Sequence, residues 1–170
     1  MDNSGYAWLV MIYRLPSEPT RCRAWVWRQV KRLGGVYLQD GVFVVPDLGD
    51  MQLEVQALAE QVGNFGGQAQ AMVGRGLAPD VDKDLVGRFN AERDAEYRPI
   101  LAAATRLCDY FQEEESHFDF SAVDLGRLGE QLGRLRRQFR QVRGRDYFSA
   151  PLGKEVAERL DECDVRLINR

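Results

Sequence analysis

The segment from residue 8 to residue 46 constrains the fold of this chain more than any other. Trp8–Tyr13 is a continuous apolar run that Arg14-Leu15-Pro16 ends, a pattern typical of a strand covered on both faces. Thr20–Leu33 then has the spacing of an amphipathic helix, and Gly34-Gly35 stops it. The sequence therefore predicts a buried strand followed by a surface helix.

The segments that follow complete a β-α-β-β-α-β order. Val36–Leu38 and Val42–Val45 have the composition of two short strands, and Asp40-Gly41 between them suits a tight hairpin turn. Leu53–Val62 has helical spacing, and Gln68–Val73 is a short strand with partial alternation. This order predicts a ferredoxin-like domain, in which two helices cover one face of a four-stranded antiparallel sheet. The other face then needs a cover, such as a partner subunit or the rest of the chain.

The remaining residues are predicted to form helices. Val81–Phe111 is one long helix that Pro99 would bend, because a proline inside a helix removes a hydrogen bond. A second helix carries an apolar seam in steps of three and four, which favours an antiparallel hairpin with the first, and Leu152–Leu167 is the last helix. We therefore predict an α+β chain with a ferredoxin-like domain at residues 1–78 and an all-helical extension at residues 79–170. The seam consists of Leu125, Leu128, Leu132, Leu135, Phe139 and Val142.

The helix predicted at Thr20–Leu33 carries five cations and no acid, so no carboxylate within the helix neutralises them. Arginines around an exposed tryptophan could hold phosphates while the ring of Trp25 stacks on a base or a sugar. Alternatively, Trp25 packs at a subunit interface, where tryptophan and arginine are enriched. Opposite the core stripe of Cys22, Val26, Val30 and Leu33, a second stripe holds Arg21, Trp25, Arg28 and Arg32, with Arg23, Trp27 and Lys31 beside it.

A second basic feature, here called the arginine edge, lies on the seam helix. Its members follow one another in steps of three and four: Gly126, Gly129, Gly133, Arg136, Arg140 and Arg143. Each glycine costs about 1 kcal/mol relative to alanine in a helix, so three of them suggest close approach by another backbone. The alternative is that the helix begins later, near Gly129. The arginines would project along the same side.

Four motifs carry a resemblance to a known family. They are Trp8–Pro16, the spacing of Arg21, Trp27-Arg28, Lys31 and Gly34, the hairpin residues Gly41 to Pro46, and Arg145–Phe148 with Ala150-Pro151. In order and spacing they resemble the N-terminal domain of the bacterial chromate-resistance regulators (ChrB), over nearly the whole chain. That domain is similar, more distantly, to the central domain of the phenylacetate-pathway repressors. The resemblance implies a regulator, and members of the family usually carry a second, larger domain associated with the chromate response.

The bulk composition excludes several classes of protein. With 45% apolar and 10% aromatic residues in 170, the chain can bury a core, and it contains no apolar run long enough for a membrane span. The net charge of −3 argues against a protein that coats nucleic acid indiscriminately, so any polyanion must meet local basic patches. The N-terminus lacks the cationic start of a signal peptide, and Cys22, Cys108 and Cys163 are scattered. We therefore expect a cytoplasmic protein with reduced, core-filling cysteines.

No catalytic constellation is visible in the sequence. His117 is the sole histidine, and although Glu113–Glu115 and Asp119 flank it, a lone histidine in an acidic loop is more often solvated than metal-bound. There is no phosphate loop and no dinucleotide fingerprint, and Tyr13-Arg14 stands where a Mg²⁺-dependent nuclease of this fold would need a carboxylate. We therefore predict a protein that is not an enzyme and has no cofactor or metal.

These observations lead to a regulator that binds DNA, most simply as a homodimer. The predicted contacts to DNA or another anion are Arg21, Arg28, Lys31, Arg32, Arg136, Arg140 and Arg143, with Trp25 as a stacking or interface residue. The first alternative is a protein-interaction or oligomerisation module whose arginines pair with the acidic segment 109–124. The second is an oxyanion sensor, in which Thr20 and Arg21 at the helix start would hold a tetrahedral dianion such as chromate.

Overall fold

The chain adopts an α+β fold, as predicted. We describe residues 5–115 and 122–169 of a computed structural model. Four strands and two helices alternate in the predicted β-α-β-β-α-β order, and three long helices follow. The elements are β1 (Trp8–Arg14), α1 (Thr20–Arg32), β2 (Val36–Gln39), β3 (Val42–Pro46), α2 (Met51–Asn64), β4 (Gln68–Gly74), α3 (Pro79–Glu115), α4 (Ala122–Arg143) and α5 (Pro151–Ile168).

The four strands form one antiparallel sheet in the order β2-β3-β1-β4. The most apolar strand, β1, lies inside the sheet, where Met11 pairs with Phe43 on β3 and with Ala71 on β4. The β2–β3 turn uses Gly41 at φ 72°, a backbone angle that glycine adopts without steric cost. The Tyr13 N–H donates to the Gly41 carbonyl at 2.7 Å, which ties this turn to β1.

Two compact units divide the chain after Phe89. In the first unit, α1 buries Cys22, Val26 and Val30, and α2 buries Val55, Leu58 and Val62. These side chains form the core with the buried strand residues Leu9, Met11, Phe43 and Val45. Burial of one stripe of α1 is what turns its other stripe toward solvent.

The prediction that β1 is covered on both faces is correct at one end and wrong at the other. Trp8 is buried: its ring stacks on Phe89 with centroids 5.7 Å apart, and its indole N–H donates to Asp82 at 2.7 Å. The first turns of α3 therefore belong to the first unit. Ile12, near the other end of the strand, is 45% exposed, so an apolar run alone did not reveal where the cover ends.

The second unit is built around a core shared by α3, α4 and α5. Tyr97, Ile100, Leu107 and Phe111 come from α3, and Val156, Leu160 and Cys163 come from α5. From the predicted seam, Leu132, Leu135 and Val142 are buried in this core, and Leu128 and Phe139 pack against it. Pro99 lies inside the continuous helix α3. No helix among the residues described has both the length and the apolar character needed to cross a bilayer.

All three cysteines are buried in the core, as predicted, but the prediction that they are reduced was wrong for two of them. Cys108 on α3 and Cys163 on α5 form a disulfide, with their Cα atoms 5.4 Å apart and 55 residues between them in sequence. Only Cys22 is a free, buried thiol that fills the core, as expected. The two cysteines are brought together only by the packing of α3 against α5. No local motif such as Cys-x-x-Cys therefore indicated the disulfide.

Reduction of the Cys108–Cys163 disulfide is expected to destabilise the protein. Closing a loop of 55 residues restricts the unfolded chain, which corresponds to about 4 kcal/mol in the chain-entropy model. We expect the midpoint of urea unfolding to fall when the protein is reduced, and alkylation of the denatured, unreduced protein to modify Cys22 alone. Modification of all three cysteines before reduction would contradict the disulfide.

Candidate functional site

Three guanidinium groups on α1 have no ion-pair partner among the residues that the structure describes. Arg21, Arg23 and Arg28 are exposed, and none forms an ion pair with any residue that the structure describes. The helix has basic residues in its last turn and no acid in its first turn, so no charge of its own opposes theirs. Arg21 and Arg28 lie on one side of the helix and form a local positive patch on a chain of negative net charge, whereas Arg23 lies about 200° round the helix from Arg21.

Two other cations of α1 are engaged. Arg32 pairs with Glu54 of α2 at 2.9 Å and donates to Gln29 at 2.9 Å, so the expectation that its charge is uncompensated was wrong. Both partners are exposed, and such surface pairs contribute at most about 1 kcal/mol, which leaves Arg32 able to exchange partners. The Lys31 ammonium lies 5.8 Å from the centroid of the Trp27 ring, a cation–π distance.

The two tryptophans of α1 differ in their surroundings. Trp25 is partly buried, and its ring meets Phe65 edge-on with centroids 5.4 Å apart. Trp27 is 52% exposed. The sequence pointed to Trp25 because it shares a stripe with the arginines, but the packing of Phe65 makes Trp27 the more accessible ring.

The arginine edge of α4 does not present three equivalent charges. Arg136 is held by Asp161, at 2.6 Å, and by Asp164, both on α5. Burial alone would lower the pKa of Arg136, but its hydrogen bonds to the two carboxylates raise that pKa above the usual value. The prediction of a free Arg136 was therefore wrong, because acids distant in sequence lie beside it in the fold.

The other two members of the edge are exposed. Arg143 lies beside Tyr97, and its positive charge opposes only part of the rise that burial causes in the tyrosine pKa. Arg140 forms no ion pair within the described part of the chain. The structure thus leaves Arg140 as the freest cation of the predicted edge.

The prediction that the glycines of the arginine edge allow close approach by another backbone was wrong. Among the described residues, no backbone atom of another element lies within 4 Å of a Cβ built at Gly126, Gly129 or Gly133. The alternative, a helix that begins near Gly129, is also wrong, since α4 begins at Ala122. We have no structural explanation for the three glycines.

Replacement of two helical glycines by alanine should have opposite effects. Gly126→Ala should stabilise the protein by about 1 kcal/mol, because alanine is the better helix former and the added methyl meets open space. Gly153→Ala on α5 should destabilise it by about 1–3 kcal/mol, because its Cβ would lie 3.1 Å from the buried Tyr97 ring. Urea unfolding of both variants measures this, and equal shifts would contradict the packing described.

A charged cluster in the second unit was missed by the sequence analysis. Arg93 is 1% exposed and pairs with Glu96 at 2.9 Å, and Arg145 binds the other oxygen of the same carboxylate. Burial lowers the pKa of Arg93, and burial together with the charge of Arg93 lowers that of Arg145. Charged residues recur every few positions along α3, so the sequence did not indicate which of them would be buried.

The family-like segment at residues 145–151 is part of the same cluster. Tyr97 donates its hydroxyl to Asp146 at 2.9 Å, and burial followed by this bond raises the pKa of Tyr97 to about 12. Asp146 also accepts from the Ala150 N–H at 2.9 Å, and Asp94 accepts from the Leu152 N–H at 3.0 Å. These contacts fix the start of α5 against α3, so the motif has a structural role.

Removal of the shared carboxylate should destabilise the second unit. In Glu96→Gln, the buried Arg93 loses its charged partner, and we expect a loss of about 2 kcal/mol, reduced from the cost of a fully buried pair because Glu96 is partly exposed. The control is Glu158→Gln, which breaks an exposed pair with Lys154. Chemical unfolding compares the two, and an unaffected Glu96→Gln variant would contradict the role assigned to the cluster.

Among the residues described, no group of histidine, cysteine, aspartate and glutamate is arranged to hold a metal ion. His117, the residue weighed above as a possible ligand, lies outside the described residues.

Comparison with known proteins places this architecture in a family. The family model described as "Protein ChrB, N-terminal" matches residues 23–169. The chain is similar to a protein named Protein ChrB from Cupriavidus metallidurans, with 27% identity over 132 residues that cover 75% of this chain. The chain spans 37% of the length of that relative. No solved structure is significantly similar to this chain.

Proposed function

This chain belongs to the family of ChrB N-terminal domains, and from that premise we propose that it serves as a regulator of the chromate-resistance type, binding DNA through the exposed arginines of α1. The proposal includes no catalytic activity and a cytoplasmic location, which rests on the regulator role alone, since Cys108 and Cys163 are not reduced. The single observation that carries it is the patch formed by Arg21 and Arg28, whose charges meet no carboxylate among the described residues.

The geometry of α1 suits contact with a phosphate backbone. Arg21 and Arg28 are seven residues apart, which corresponds to about 10 Å along a helix that rises 1.5 Å per residue. That length corresponds to about three base-pair steps along the DNA axis, so the two guanidinium groups can meet different phosphates. Arg32 extends the row by one more turn and can leave Glu54 at little cost, since the pair is exposed.

The cations of α4 contribute less to this proposal. Arg136 would have to leave two carboxylates to meet DNA, whereas Arg140 is exposed and unpaired in the part of the chain that the structure describes. Lys31 is already engaged with Trp27, and Arg143 with Tyr97. We therefore rank the predicted contacts, with Arg21 and Arg28 first and Arg136 last.

The open edge of the sheet favours a second candidate function, oligomerisation. The same edge supports a homodimer whether or not the protein binds DNA. β4 pairs with β1 on one side only, and its sequence Gln68–Gly74 contains no charged residue. Met72 and Val73 are exposed there. A long, uncharged edge strand is suited to pairing with a strand of another chain.

Oxyanion sensing remains a further proposal. Thr20 and Arg21 are both exposed at the start of α1, where free backbone N–H groups and a positive charge could receive chromate. This site would make chromate an effector of the same helix that we propose to contact DNA.

Neutralising the patch should weaken DNA binding and reduce its dependence on salt. We expect the double variant Arg21→Gln/Arg28→Gln to lose affinity for the promoter region of its own gene, and the slope of log K against log salt to fall by about 2, since each lost phosphate contact removes about one unit. Fluorescence anisotropy at several salt concentrations measures both quantities.

The matched control is Arg136→Gln, which removes one arginine that is held by carboxylates and should leave the slope unchanged. A salt-independent affinity, or no binding at micromolar protein, would exclude the DNA-binding role. If the charge reversal Arg28→Glu/Arg32→Glu dissociates the oligomer in sedimentation velocity, the patch is instead an interface and the second candidate is correct.

A further inference from the structure

A cavity in the first unit lies between α1 and the end of the β2–β3 hairpin. Its volume is about 570 Å³, within the range of pockets that bind small organic groups. Residues of β1, α1 and the hairpin turn surround it: Tyr13, Leu15, Arg23, Trp27, Tyr37, Asp40 and Gly41. None of the functions discussed above uses this cavity.

Aromatic rings form much of the cavity wall. Trp27 is 52% exposed although it is the bulkiest type of side chain, and Tyr13 and Tyr37 each meet Phe43 edge-on, with centroids 6.4 and 6.1 Å apart. The tyrosines are thus anchored on the sheet, while the half-exposed indole is accessible except where Lys31 lies over its ring. An accessible indole beside anchored tyrosines offers a surface on which a planar ring can stack.

The two tyrosine hydroxyls supply neutral hydrogen-bonding groups. They lie 2.8 Å apart, so one donates to the other, and one hydroxyl hydrogen remains for a ligand. Burial, and then the bond to Tyr13, raises the pKa of Tyr37 far above the usual value, so its hydroxyl stays protonated at physiological pH. A neutral donor and acceptor pair suits the edge of a base better than it suits a phosphate.

The charged groups around the cavity separate two classes of ligand. Arg23 is exposed and unpaired among the described residues, so it can receive one phosphate. Asp40 would repel a small dianion such as chromate or sulfate in the cavity, but its carboxylate can accept from an exocyclic amino group. A ligand with a planar, amino-bearing ring and a single attached phosphate fits both groups.

We propose that this cavity binds an unpaired nucleobase, stacked on Trp27 and hydrogen-bonded by the Tyr13–Tyr37 pair and Asp40, with the adjoining phosphate on Arg23. The inference rests on the proposed function, because the strand that carries the base would place its adjoining phosphate on Arg23, which belongs to the helix proposed to contact DNA. The same chemistry occurs in a free nucleotide, and the experiment separates the two sources.

The test compares three DNA ligands by fluorescence anisotropy. The first is a fully paired duplex, the second is the same duplex with one bulged adenosine, and the third has an abasic nucleotide at the bulge. We expect the adenosine bulge to bind about tenfold more tightly than the abasic bulge, as is typical for stacking on an aromatic side chain. This difference should vanish in Trp27→Ala and shrink in Tyr37→Phe, with circular dichroism to verify folding.

The control variant is Leu53→Ala, which removes another exposed apolar side chain, 65% accessible on α2, and should preserve the difference. Equal affinities for the adenosine and abasic bulges, alongside binding of the duplex, would overturn the nucleobase site and leave the DNA-binding proposal intact.

Titration with adenosine monophosphate, followed by tryptophan fluorescence, decides the remaining cases. If the protein binds no DNA, the regulator proposal fails, and the nucleotide titration then tests the cavity separately. Quenching that Trp27→Ala abolishes would then assign the cavity to free nucleotides, and the absence of quenching would overturn it. If the bulge difference is found without quenching by the nucleotide, the occupant is a base within a strand.

Discussion

Burial of one stripe of α1 against the sheet is the interaction on which the first unit and its candidate site depend. Val26 and Val30 are fully buried, and they pack into the core that Met11 and Phe43 form on the central strands. Because a helix has about 3.6 residues per turn, fixing this stripe also fixes the direction of every other side chain on the helix. The arginines face solvent as a consequence of that packing.

The two units differ in how their arginines are paired. In the first, arginines of α1 lie on the surface with few partners, whereas in the second, buried or half-buried arginines are held by carboxylates. Arg93 and Arg145 share Glu96, and Arg136 is held by two aspartates of α5. Since an uncompensated charge is costly to bury, the second set is structural and the first is available to a ligand.

The proposed DNA contacts and the proposed nucleobase cavity use opposite sides of the same short segment. Arg21 and Arg28 present charge, while Arg23 and Trp27 turn toward the hairpin. Proteins that hold single-stranded nucleic acid combine cations that bind the backbone with aromatic side chains on which bases stack, and α1 carries both kinds of residue. The cavity depends on the turn at Gly41, which lines it together with Tyr37 of β2 and Trp27 of α1.

The sequence by itself determined the order of the elements, the side of α1 that is buried and the apolar seam of α4, because the periods of helices and strands are local properties. The tertiary structure alone decided which charges are free. The pairing of Arg32 with Glu54, the enclosure of Arg93 and the Cys108–Cys163 disulfide join residues that are brought together only by packing. The spacing of residues along one element does not determine the distances between elements. These contacts therefore could not be predicted from the sequence.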